Sequence, residues 1–118
     1  MPDQLHIDQD HQDHGRAFVV PRGALDLNSS SQLRSALVEV VEAGTDALVV
    51  DLREVTFVDS AGFSALLTAA KRLRARDGHL VLITTDESVV RMLRIMGLTD
   101  MMPLADTPEH AWATLARL

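Results

Sequence analysis

Ser60 carries the most specific chemistry available in this chain. It lies in the run Asp51-Leu52-Arg53-Glu54-Val55-Thr56-Phe57-Val58-Asp59-Ser60-Ala61-Gly62, where an apolar strand ends, a loop turns outward and a helical pattern begins. A hydroxyl at that junction sits where the first backbone N–H groups of a helix lack partners within the helix. Two readings fit. In one, Asp59 or Ser60 simply caps the helix. In the other, the hydroxyl accepts a phosphoryl group. Phosphorylation adds about −1.5 to −2 charges, and a helix N-terminus tolerates an added anion because its partial positive charge faces it. The fold would persist, while a partner packed over this helix end would be repelled, the more so with Asp59 adjacent.

Other reactive residue types give weaker patterns. There is no GxxxxGK[ST] phosphate loop, no GxGxxG, no HExxH and no GxSxG,. His6, His11 and His14 interleave with acidic residues near the N-terminus, but their spacing matches no closed metal site, and a solvated, partly flexible hairpin is the plainer expectation,. His79 precedes an apolar run and His110 falls in the first turn of a helical segment. No base stands beside a nucleophile, so no catalytic residue, metal or cofactor is expected. Ser29-Ser30-Ser31 reads as a helix cap with an exposed first turn,.

The elements that must position Ser60 follow from two alternating apolar periods. Leu5 and Ile7 alternate with polar residues, a weak edge-strand pattern. Ala17-Phe18-Val19-Val20 is a stronger strand, ended by Pro21 and Gly23,. Leu33, Leu37, Val40 and Val41 recur at helical spacing between Ser29 and Gly44,. Ala47-Leu48-Val49-Val50-Asp51-Leu52 is a strand apolar on both faces,. Phe63, Leu66, Leu67, Ala70 and Leu73 give a second helix, with Asp59 at its start and Lys71-Arg72-Leu73-Arg74-Ala75-Arg76 at its end, both complementing the helix dipole,. Leu80-Val81-Leu82-Ile83 is a further buried strand. Val89, Val90, Leu93 and Met96 line a third helix stopped by Gly97. Met101-Met102-Pro103-Leu104 reads as a short strand, and Thr107-Pro108-Glu109 starts a last helix with Ala111, Trp112, Leu115 and Leu118 on its apolar face,. The order predicts an α/β fold. Its sheet is mostly parallel, of about five strands, with an antiparallel N-terminal edge hairpin and four flanking helices,.

Composition narrows the function classes. The 118 residues hold 17 Asp plus Glu against 11 Lys plus Arg, a net charge of −6. That balance argues against coating a nucleic acid, which needs cations to displace counterions. The absence of Cys excludes disulfides, thiolate metal sites and a Cys nucleophile,. No apolar run approaches the roughly 18 residues of a membrane span, and the polar, acidic start does not read as a signal peptide. A single cytoplasmic domain over residues 1–118 is expected, with residues 1–15 as an acidic, His-bearing segment.

At this point the residues resemble a known family. Gly23-Ala24-Leu25-Asp26, Val50-Asp51-Leu52, Phe57-Val58-Asp59-Ser60-Ala61-Gly62, Gly78-His79-Leu80-Val81-Leu82 and Met96-Gly97-Leu98 together look like the STAS domain of bacterial anti-sigma factor antagonists, from about Arg16 to Leu115. The resemblance implies a protein that binds an anti-sigma factor, itself a serine kinase with an ATP-binding fold, and so releases a sigma factor for transcription. It implies phosphorylation at Ser60, release of the phosphorylated form, and a phosphatase that resets it. The chain would then be a substrate and not an enzyme. The implied partner-binding residues are Gly23, Leu25, Asp26, Asp59, Ser60, Ala61, Gly62 and Ser64. Ala24 stands where the family often has Glu, and Phe63-Ser64 where it often has Leu-Gly, so Ser64 bears on which kinase is recognised. The alternative implied is a STAS interaction subunit, not phosphorylated, of a stress-signalling or lipid-transport complex. A small enzyme or ligand-binding domain is the remaining rival and requires a concave polar pocket. A monomer or weak homodimer is expected, since charges blunt the edge hairpin.

Overall fold

The computed structural model describes residues 4–118, so Asp3 of the acidic opening lies outside the described residues. Ten elements follow one another: β1 (His6–Gln12), β2 (Arg16–Leu25), α1 (Ser30–Glu42), β3 (Ala47–Asp51), β4 (Val55–Val58), α2 (Ser60–Arg74), β5 (His79–Ile83), α3 (Glu87–Ile95), β6 (Leu104–Ala105) and α4 (Pro108–Ala116). The strands form one six-stranded sheet in the order β1-β2-β3-β5-β6, with β4 on the far half of β2. Only the β1–β2 hairpin is antiparallel.

Two expectations about strands need correction, and they share a cause. β2 does not stop at Pro21 but runs on to Leu25, and the loop expected before Ser60 contains a strand, β4. β2 uses two parallel partners in turn. Arg16 to Val19 pair with β3, and Gly23 to Leu25 pair with β4. Pro21 falls in the gap between these partners, where its missing N–H costs no parallel ladder bond,. Gly23, at φ +115°, takes the chain through the irregularity that opens the second ladder,. β4 is short and half exposed, so it carries no buried apolar run to reveal it. The sheet therefore has six strands, not five, and the last is only two residues long.

α1, α2 and α3 cover one face of the sheet. Leu33, Leu37, Leu66, Leu73 and Leu93 meet Leu48, Val50, Leu80 and Leu82 there, all nearly or fully buried. α4 covers part of the other face, where Ala111 packs on Val49, Val81 and Ile83. Trp112 lies against Phe18 at 6.3 Å, with the Arg16 guanidinium 4.0 Å from its ring centre,. This burial on both faces explains the unbroken apolar runs of β3 and β5. Among the described residues, no helix is long and apolar enough to cross a membrane.

One consequence of the parallel topology fixes the site. β2, β3, β4 and β5 all end at the same edge of the sheet, and α1, α2 and α3 begin there. Side chains placed at those helix starts gather along one rim, as ligand-contacting residues do in open α/β sheets.

Candidate functional site

Asp59, not Ser60, caps α2. Its backbone is extended (φ −108°, ψ −173°), and its carboxylate accepts from the N–H groups of Ala61 at 2.9 Å and Gly62 at 3.1 Å. Phe63 N–H closes the first helical bond, on the Asp59 carbonyl, at 3.0 Å. The anion-accepting donors of this helix start are thus largely occupied by a carboxylate already present. Ser60 follows as the first helical residue, exposed, and its hydroxyl makes no hydrogen bond to a described residue. The cap and the exposed hydroxyl belong to separate residues, so Ser60 has no capping duty to lose.

The turn at the end of β2 is drawn against this helix start. The Asp59 N–H donates to the Leu25 carbonyl at 3.0 Å, and Val58 stands opposite Leu25 in the β2–β4 ladder. Gly62 faces the same carbonyl. A Cβ at Gly62 would lie 2.5 Å from the Leu25 carbonyl oxygen and 2.9 Å from the Leu25 Cβ. Glycine is required here by close approach, since the helix meets backbone that cannot yield. Gly23, Leu25, Asp26, Asp59, Ser60, Ala61 and Gly62 are therefore carried by two segments in direct contact. Ser64 lies one turn further along α2 and is exposed.

Asp26 and Ser29 hold the turn rigid. The Asp26 carboxylate accepts from Asn28 N–H at 3.0 Å and from Ser29 N–H at 3.2 Å. The Ser29 hydroxyl donates to the Ala24 carbonyl at 2.6 Å and accepts from Asp26 N–H at 3.0 Å. Ser29 stands at the N-cap position of α1 but makes no side-chain cap bond. The expectation of an exposed serine turn is corrected too: Ser29 and Ser30 are buried, and only Ser31 is exposed. The hydroxyl of Ser29 is spent on fastening Ala24 to Asp26, a role that a row of three serines does not disclose.

A second carboxylate launches β4. Asp51, buried at the end of β3, accepts from Arg53 N–H at 3.0 Å and pairs with the Arg53 guanidinium at 2.7 Å. That hydrogen bond holds the guanidinium above its ordinary range,. The turn closes with Val55 N–H on the Leu52 carbonyl at 3.0 Å, and β4 then delivers Asp59 and Ser60 to the rim. On its outer side Arg22 pairs with Asp8 and, at 3.0 Å, with Glu54.

Of the His residues of the N-terminal stretch, His6 borders the rim, where it lines a cavity with Asp26, Asn28 and Ser29. His6 and His11 lie on β1 and His14 in the turn after it, all exposed. Among the described residues no three His, Cys, Asp or Glu side chains group in a way that could hold a metal.

The STAS domain profile matches residues 8–111. The chain belongs to the STAS domain family. Its curated relatives include an anti-sigma-B factor antagonist from Listeria monocytogenes, 33% identical over 101 residues, covering 85% of this chain and 86% of the relative. An anti-sigma-B factor antagonist from Bacillus subtilis is 31% identical over 87 residues, covering 74% and 79%. Among solved structures, an anti-sigma factor antagonist from Mycobacterium paratuberculosis superposes with a TM-score of 0.86 at 26% identity, over 98% of this chain and 97% of the other. The α/β fold with its antiparallel edge hairpin is thus that of the STAS family, as the motif pattern implied.

Proposed function

We propose that this chain is an anti-sigma factor antagonist switched by phosphorylation of Ser60, working in the cytoplasm as a single domain. The observation that carries the reading is the division of labour at the start of α2. Asp59 supplies the cap, and the adjacent Ser60 hydroxyl is exposed and unbonded among the described residues. Its relatives named as anti-sigma factor antagonists give the reading its partner class.

On this reading the partner is an anti-sigma factor that is also a serine kinase. The Gly23–Asp26 turn, Asp59–Gly62 and Ser64 form the contact surface. The Ser60 oxygen attacks the γ-phosphorus of ATP held by the partner, ADP leaves, and the hydroxyl proton passes to a base of the partner. The new phosphate then stands beside the Asp59 carboxylate with the helix donors already engaged. Added negative charge at a packed interface costs binding through repulsion and desolvation. A phosphatase restores the hydroxyl. The chain itself catalyses nothing. Incubation with ATP and the purified anti-sigma factor, followed by peptide mass spectrometry, tests the reading. Phosphate on Ser60 is expected, and binding without any modification of Ser60 would favour a purely structural STAS subunit.

A further inference from the structure

The rim does not end at Ser60. A groove of 170 Å³ opens between β4 and α3, lined among others by Phe57, Val58, Phe63, Val89 and Met92. Val58 and Phe63 flank Ser60 in sequence by two and three residues, so the groove opens beside the Ser60 loop. Its lining also holds Asp86 and Ser88; its exposed apolar members are Phe57 and Met92, and Ile95 and Met96 continue the exposed apolar surface at the end of α3. Phe57 is 56% exposed, Met92 44%, Ile95 73% and Met96 43%; these are four of the six large apolar side chains exposed among the described residues. α3 buries only Val89 and Leu93, which lie near one line of the helix, and leaves the adjoining apolar stripe uncovered,. Arg91 and Arg94 border this stripe, both exposed, and neither has an ion-pair partner among the described residues.

We propose that this groove and the uncovered stripe of α3 receive an apolar segment, flanked by carboxylates, of the same anti-sigma factor that takes up the Ser60 hydroxyl. The inference rests on the phosphoacceptor reading above and adds a second anchor to it. Two observations choose this occupant. The groove lies beside the Ser60 loop, with Val58 and Phe63 in its lining. Arg91 and Arg94, which share their side of α3 with Glu87 yet make no ion pair among the described residues, call for carboxylates on whatever covers them,. Thioether side chains at the contact suit an adaptable apolar seat.

Calorimetry of the purified anti-sigma factor against Met92→Asp, Ile95→Asp and Ser60→Asp tests this. Both α3 residues are well exposed, so the fold tolerates the changes; the methyl resonance of the fully buried Met102 serves as the folding control. Met92→Asp and Ile95→Asp should each weaken binding by about tenfold or more, as loss of an interface anchor does. In the wild-type complex, the Met92 and Met96 methyl resonances should shift while that of Met102 stays. If the two α3 variants bind as wild type while Ser60→Asp loses binding, the groove is not used and the Ser60 switch still stands. If Ser60→Asp also binds as wild type, the switch falls and this inference with it. A dimer in sedimentation that Met92→Asp dissolves would assign the stripe to a second copy and overturn the proposal.

Discussion

Ser60 and its neighbours divide into residues that hold the rim and one, the exposed Ser60, whose side chain holds nothing among the described residues. Substituting the free residue should leave the fold nearly unchanged. Ser60→Asp is expected to alter unfolding free energy by no more than about 0.5 kcal/mol, as surface changes do, and Ser60→Ala likewise. The holding residues behave otherwise. Gly62→Ala would relieve the helix of a glycine, worth about 1 kcal/mol in favour of alanine at an open site. Here the new methyl would lie 2.5 Å from the Leu25 carbonyl oxygen, so the sign reverses. Overpacking of this kind costs about 1–3 kcal/mol, and a lowered melting temperature in Gly62→Ala checks it. Ser29→Ala leaves the Ala24 carbonyl and the Asp26 N–H without their partner. A loss of about 1–3 kcal/mol is expected for a buried polar group so orphaned. Binding should fall beyond what stability explains, because the turn beside Ser60 loosens. The Asp59-Ser60-Ala61-Gly62 motif was legible in the sequence, though not the close approach of Gly62 to Leu25, which only the fold shows. The work of Ser29 was not, because a hydroxyl that caps and a hydroxyl that pins a turn have the same sequence context.

At the scale of elements, helix starts along the sheet rim are the parts most sensitive to charge. Asp59→Ala removes the oxygen that accepts from two N–H groups at the start of α2 and should cost about 1 kcal/mol in denaturant unfolding,. α3 carries its own cap. Asp86 accepts from Ser88 N–H at 2.9 Å and from the Ser88 hydroxyl at 2.7 Å. The hydroxyl bond, followed by the backbone bond, holds the Asp86 carboxyl below its ordinary 3.8,. A depressed folded-state value means the cap contributes fully above the unfolded value and is lost only as pH falls through the folded one. The Asp86 carboxyl should therefore titrate below 3.8 by carboxyl NMR, and Ser88→Ala should move its midpoint upward. A midpoint unmoved by Ser88→Ala would contradict the assignment of the shift to that hydroxyl. Helices with long apolar stripes, such as α1 and α2, were plain from spacing alone. β4 was not, because four half-exposed residues carry no period, and the strand exists only through pairing with a distant half of β2. Nor does spacing tell that α3 leaves Met92 and Ile95 uncovered, since an apolar stripe looks the same whether or not the fold packs against it.

For the whole molecule, the sheet is the frame and the rim, under the proposed phosphorylation of Ser60, is a surface whose charge alone changes. Ser60 is itself exposed and outside the buried apolar layers on both sheet faces, so modification there leaves them intact. The measurement that bears most directly on this is the affinity of the purified anti-sigma factor for the Ser60-phosphorylated chain and for the unmodified chain, taken side by side by calorimetry. Binding should be at least about a hundredfold weaker after phosphorylation, the roughly 3 kcal/mol expected of a charge forced into a packed contact. Equal affinities of the two forms would contradict it.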